Sequence, residues 1–181
     1  MRLRWIVLLL VAAVAAWMAW EWFRPVNRVQ RATYRLLEVM PKEQPGPDAP
    51  LTLFKVQGTC RDALAPDALA IVAMNPQPYR VRGRNEILEH LQFIRQALDN
   101  LWLDHPQVAA TPLPGGSIEV HVEVPFKAQL ERSARSLMEG RRWDYDLHAR
   151  LLWTQTPDGW RISTAEIAPF RGEPLSSPAG E

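Results

Sequence analysis

The sequence holds a single cysteine, Cys60. No internal disulfide can form, so the fold must stand on packing alone. An excess of charge of one sign is missing too. Lysine and arginine number 21 against 20 aspartates and glutamates, for a formal net charge of +1. No global field therefore points to nucleic acid or to an acidic partner. Phosphate-binding loops, zinc-ligand spacings, haem motifs and a G-x-S-x-G nucleophile turn are all absent. No cofactor and no catalytic set is expected from such a chain. Proline is plentiful at 16, but it falls between periodic segments as loop punctuation.

What stands out first is an apolar run. Residues 5–20 carry no polar side chain; Glu21 interrupts, and Trp22 and Phe23 follow. As a helix, residues 5–23 would be roughly 28 Å long at ~1.5 Å per residue, close to the ~30 Å hydrocarbon core of a bilayer. Arg2 and Arg4 precede the run, tryptophans at 5, 17, 20 and 22 sit near its two ends, and Pro25 ends it. These features predict a single transmembrane signal anchor and a lipid bilayer as partner. A cleaved signal peptide is the rival reading, because Ala13-Val14-Ala15 has the small-x-small form of a cleavage site. Ala12, Ala16 and Ala19 share one face, and the pairs Ala12/Ala16 and Ala15/Ala19 have small-xxx-small spacing, a pattern that packs helices together within membranes. Arg2 and Arg4 favour a cytoplasmic N-terminus and a periplasmic domain. Arg24, Arg28, Arg31 and Arg35, on the other flank, weigh against that orientation.

About 150 residues remain, the usual size of one domain. Residues 26–40 have helical apolar spacing, with Arg28, Arg31, Arg35 and Glu38 on the opposite face. That face is a solvated surface or a contact for lipid phosphates. Residues 41–50 read as a proline-rich linker. Residues 51–65 suggest a helix over their second half, residues 68–74 and 79–82 two short strands, and residues 84–103 the clearest helix. In that helix Ile87, Leu91, Ile94, Leu98 and Leu101 form one stripe. Residues 106–111 read as a weak strand. Residues 117–127 and 143–156 alternate between apolar and polar side chains, and 160–167 form a closing strand after the Pro157-Asp158-Gly159 turn. The expected layout is a basic tail over 1–4, the anchor over 5–23, a helix and linker over 24–50, the domain over 51–170 with helix 26–40 attached, and a disordered tail over 171–181.

This order of elements resembles the nuclear transport factor 2-like, or SnoaL-like, superfamily. The run Ala68-Leu-Ala-Ile-Val-Ala-Met-Asn-Pro-Gln-Pro-Tyr-Arg-Val-Arg-Gly83 leads into a helix, and Asp158-Gly-Trp-Arg-Ile-Ser-Thr-Ala-Glu-Ile167 looks like the last strand of that family. The resemblance implies an α+β cone: a curved antiparallel sheet wrapped around a long helix. The superfamily hosts enzymes, binders and scaffolds, so the fold alone selects no activity. Isomerase-type members place a general-base aspartate before a proline in the hairpin. Asn75 takes that place here, and an amide cannot accept the proton at neutral pH. Tyr34, on the first helix where such enzymes can carry a tyrosine, then reads as packing with a polar tip.

Two groups of residues remain as candidates. Glu119, His121 and Glu123 on one strand and Asp144, Asp146 and His148 on the next would come together if the strands pair. His121, His148 and Asp146 would then offer a metal site or an acid/base pair, against the commoner outcome of a solvated face with cross-strand charge pairs. Tyr34, Trp102, Trp143, Tyr145 and Trp153 are the candidates for lining an apolar pocket. Three functions compete. The first is a membrane-anchored interaction or assembly domain with a membrane-protein partner or a second copy of itself. The second is a binding module for an apolar ligand, and the third is an enzyme of unrecognised chemistry.

Overall fold

The computed structural model describes residues 11–14, 17, 20, 24–44, 47–73, 77–130 and 142–168. Two helices open the domain, and each begins at a proline: α1 over Pro25–Val39 and α2 over Pro50–Ala63. The fixed φ of proline suits the first helical position and pushes the residue before it into extended backbone. Arg24 (φ −56°, ψ 137°) and Ala49 (φ −57°, ψ 143°) both take that form. Helix α2 therefore runs from residue 50 onward, longer than the sequence suggests. The buried stripe of α1 is Val29, Thr33 and Leu36; that of α2 is Val56, Cys60 and Ala63.

The remaining elements are β1 (Leu64–Val72), β2 (Tyr79–Arg82), α3 (Arg84–Ala97), β3 (Leu98–Leu103), β4 (Gln107–Pro112), β5 (Ile118–Leu130), β6 (Arg142–Thr156) and β7 (Gly159–Ala168). The strands form one sheet in the order β2-β1-β7-β6-β5-β3, and β4 also pairs with β5. The pairing of β1 with β7 is parallel; the others are antiparallel. One edge of β5 is shared, with β4 on residues 118–123 and β3 on residues 126–130. Pro125 lies at the changeover, where it has no N–H to donate. Its carbonyl accepts the Asp104 N–H at 3.1 Å. Gly83, between β2 and α3, has φ +99°, a left-handed value that favours glycine. Its N–H donates to the Ala68 carbonyl at 2.7 Å, which ties the start of α3 to β1.

The structure departs from the sequence reading most clearly after residue 97. Helix α3 stops there, and residues 98–103 form a strand instead of a last helical turn. Leu98 and Leu101 are both buried although three residues apart, a spacing that regular strand alternation would split between two faces. A bulge between Leu98 and Asn100 shifts the register on β5 and brings them to one face. The bulge thus creates a helix-like spacing within a strand.

The linker is the second departure. Lys42 exchanges two backbone hydrogen bonds of 2.8 Å with Leu101. Its ammonium donates to the carbonyls of Arg95 (2.6 Å) and Leu98, where α3 ends and its last carbonyls need donors from outside the helix; the Arg95 carbonyl also accepts the Leu98 N–H. The connection is pinned to the domain at both ends, since Asp48 is held as well.

The core follows the expected alternation. Ile118, Val120, Val122 and Val124 of β5 are buried and meet Trp153, Ala149, Ile162 and the stripes of α1 and α2 in one cluster. Among the described residues, no helix is long and apolar enough to cross a membrane. Most of the expected anchor over 5–23, together with Ala16 and Ala19, lies outside the described residues. Val11–Val14, Trp17 and Trp20 are helical and exposed, Ala12 among them. The tail over 171–181 and Asn75 also lie outside the described residues.

Candidate functional site

The concave side of the sheet is an apolar interior. Trp153 is fully buried in it, paired across the sheet with Ile118 and Ile162. Among the described residues its indole Nε1–H finds no acceptor. A buried donor without a partner is uncommon and unfavourable, so it marks a place where an acceptor would be welcome. Tyr34 is half-buried and packs against the same cluster. Trp102 does not join it: its indole is exposed on β3, opposite Lys127, while neighbouring Leu101 is buried. Trp143 and Tyr145 stand in register with Ala128 and Phe126 of β5; their side chains lie outside the described residues.

The convex face carries the charged residues. Register places His121 opposite Arg150, Glu123 opposite His148, and Pro125 opposite Asp146. Arg150 donates through Nε (3.0 Å) and Nη2 (2.6 Å) to one oxygen of Glu166, and its Nη1 lies 3.8 Å from Glu119. His121 Nε2 lies 2.8 Å from Glu119 Oε1, and His148 Nδ1 lies 3.5 Å from Glu123 Oε1. The side chains of His121 and His148 are 49 % and 40 % exposed. The arginine occupies the space between the carboxylates where a cation would have to sit. Among the described residues no three His, Cys, Asp or Glu side chains converge to hold a metal ion. This face is a cross-strand ion-pair lattice, open to water at the histidines and half-buried at Arg150 and Glu166.

A third polar group was not visible in the sequence. Arg95, on α3, donates Nε to Asp48 Oδ2 at 2.7 Å and Nη2 to Asp48 Oδ1 at 3.1 Å. Its Nη1 donates to the Met40 carbonyl at 2.6 Å. The two charged side chains are only 2 % and 8 % exposed. With Lys42 they lock the ends of α1, α2 and α3 together. Cys60 is buried nearby. Desolvation pushes its thiol up to about 11 from an ordinary 9.0, against the opposing pull of the Arg95 guanidinium. Such a thiol is an inert core group at neutral pH, not a nucleophile.

The outer side of the α2–α3 pair is different again. Gln57 donates to Gln92 at 2.9 Å, and the Asp48–Arg95 pair fixes the helices side by side in opposite directions. A groove of about 270 Å³ opens between them, lined by Gln57, Arg61, Asn85, Leu88, Glu89 and Gln92. Leu51 (85 % exposed) and Phe54 (77 %) project from α2, and Phe93 (72 %) and Ile94 (51 %) from α3. Phe93 and Ile94 were expected within or beside a buried helical stripe. They lie in water because α3 buries only Leu88 and Arg95 fully.

No protein-family model matches the chain, and no curated protein matches it in sequence. Solved structures do resemble it in shape. A ketosteroid isomerase-like protein from Erwinia carotovora atroseptica superposes with a TM-score of 0.58 at 8 % identity, over 82 % of this chain and 98 % of that one. A nuclear transport factor 2-like superfamily protein from Salmonella enterica gives 0.56 at 17 % identity, over 86 % and 94 %. A nuclear transport factor 2-like protein with a cystatin-like fold from Novosphingobium aromaticivorans gives 0.53 at 16 %, over 88 % and 90 %. At these identities the likeness is one of architecture. The curled mixed sheet, with helices α1 to α3 packed on it, has the nuclear transport factor 2-like, cystatin-like α+β fold.

Proposed function

We propose that this protein is a membrane-tethered interaction domain, an assembly or accessory subunit rather than an enzyme. The observation that carries the reading is the set of large apolar side chains left in water on α2 and α3: Leu51, Phe54, Phe93 and Ile94. Single exposed apolar residues are ordinary, but four on one pair of locked helices form the kind of surface that partners cover. The apolar run over residues 5–20 supports the tether. The enzyme reading has less support, because His121 and His148 face water on the convex side, away from the apolar interior. The test is to extract the full chain from membranes in mild detergent and measure its mass. Photo-crosslinkers placed at Phe54 and Phe93 would then locate the contact. A complex or dimer crosslinked from both positions is expected. A monomer that crosslinks to nothing would overturn the reading.

One observation favours a second reading, a module that holds a small apolar molecule with one acceptor in the cone. It is the buried Trp153 Nε1–H, unpartnered among the described residues. Native mass spectrometry of the gently purified chain should then show a bound hydrophobe, lost on Trp153→Phe. An unliganded spectrum would count against it.

A further inference from the structure

Helix α1 carries a ridge of arginines on the side turned away from the core. Arg24, at its N-cap, is followed by Arg28, Arg31 and Arg35, a spacing of four, three and four residues. At about 100° of rotation per residue these positions stay within one narrow stripe. Val29, Thr33 and Leu36, the buried residues of the helix, lie nearly half a turn away. Arg24, Arg28 and Arg35 are accordingly exposed, and Arg31 is half-exposed. The ridge is roughly 16 Å long at ~1.5 Å per residue. Glu38 is the only acid on the helix, and its first turn holds none. This concentration of one sign is local, since the whole chain is nearly neutral.

The backbone at the start of α1 adds direction. Arg24 is extended, so the helical residues before it and α1 do not form one continuous rod. The chain turns there, and α1 can run along a surface from which the preceding segment departs. The Arg24 guanidinium already lies over the Trp20 ring, 4.1 Å from its centroid. Tryptophan beside arginine is the pairing found where a chain passes from hydrocarbon to headgroups.

We propose that the arginine ridge of α1 lies flat on an anionic bilayer surface, with guanidinium groups on lipid phosphates. The proposal rests on the tethered reading above, because the apolar run over 5–20 is what delivers the ridge to the bilayer. Guanidinium matches phosphate as a planar, forked donor that is always charged. Basic residues held beside an anionic leaflet each add attraction that falls off within a Debye length. The tether turns that contact into an intramolecular one at high effective concentration. The consequence is orientational: the core-facing side of α1 points away from the membrane, and the domain rides on the helix.

The test uses the full chain in lipid nanodiscs, with a fluorophore on Glu38→Cys. Buried Cys60 does not compete for the label in the folded protein. One set of discs contains phosphatidylcholine alone and the other adds about a third phosphatidylglycerol, both with a headgroup spin-labelled lipid as quencher. Quenching is expected to rise about twofold with the anionic lipid and to reverse in about 0.5 M salt. It should not rise when Arg28, Arg31 and Arg35 are all changed to glutamine. A chain that stays in the discs with equal quenching in both lipids overturns the ridge contact alone. So does a glutamine variant that behaves like the parent. A chain that leaves both kinds of disc overturns the tether and the ridge together. Shielding of the label by added polyglutamate, with no response to phosphatidylglycerol, overturns the lipid assignment in favour of an acidic polypeptide.

Discussion

Arg95 and Arg150 each hold a carboxylate through two guanidinium nitrogens, and there the likeness ends. Arg95 meets both oxygens of Asp48 beneath the linker, almost wholly out of water. Arg150 meets one oxygen of Glu166 on the convex face, where Glu119, His121 and the solvent share the field. In the first site each charge has lost its hydration and depends on its partner. In the second the pair is 12 % and 22 % exposed, so water reaches both groups in part and softens the loss of either partner. The same residue types therefore serve two ends: a buried lock that fixes three helix ends, and a surface lattice that keeps one sheet face soluble.

The largest test of that contrast is Arg95→Ala, which strands the Asp48 carboxylate. A loss of about 3–5 kcal/mol is expected, seen as a fall in thermal midpoint of roughly 6–20 °C. A loss below about 1 kcal/mol would mean that water reaches Asp48 freely, and the contrast would collapse. Next in size is the alkaline response of Cys60, which reports how dry the region beside Arg95 is. The thiol titrates near 9.0 in the unfolded chain and is pushed up to about 11 when folded. The unfolded state loses its proton first, so stability is whole below the lower value and falls as pH rises through the upper one. About 2–3 kcal/mol should disappear across that window, and Cys60→Ala should lack that part of the slope. Identical alkaline slopes in parent and variant would show a wetter interior. A smaller effect is expected when both charges of the lock are removed. Arg95→Met with Asp48→Leu should lie within about 1–2 kcal/mol of the parent in denaturant unfolding, far better than Arg95→Ala alone. Equal damage in the two variants would show that the lock acts by shape rather than charge. The smallest effect belongs to Arg150→Ala, at about 1 kcal/mol, reduced in part by added salt because water still reaches Glu119 and Glu166. A loss as large as that from Arg95→Ala would erase the distinction.

The convex lattice was legible in the sequence, and the lock was not. Strict alternation along β5 and β6 assigns Glu119, His121, Glu123, His148 and Arg150 to one face, because a strand has only two sides. Which of them pair depends on the β5–β6 register, and Arg150 reaches Glu166 through the β6–β7 register, which shifts at the bulge after Leu152. Asp48 and Arg95 are 47 residues apart, and nothing local joins them. A proline-rich stretch looks like slack linker until Lys42 and Asp48 find their partners. Residues 98–103 failed for another reason: the bulge after Leu98 reproduces helical spacing in a strand. Of the residues expected to line an apolar pocket, Trp153 is buried, Tyr34 half-buried and Trp102 exposed, which alternation and helical spacing alone do not tell apart. The exposure of Phe93 and Ile94 depends on what packs against α3, which periodicity does not report.

The parallel pairing of β1 with β7 has a consequence for synthesis. Leu64 aligns with Ile162, and residues 69–72 align with 164–167. The first strand to leave the ribosome therefore waits for the last one before it has a neighbour on that side. Until then it has only the four-residue β2 beside it. A nascent chain of this protein carries an incomplete sheet edge from the completion of β1 at residue 72 until β7 begins at residue 159, and long-range pairings of this kind close slowly. Removing β7 by an early stop would thus cost the domain its first strand as well as its last.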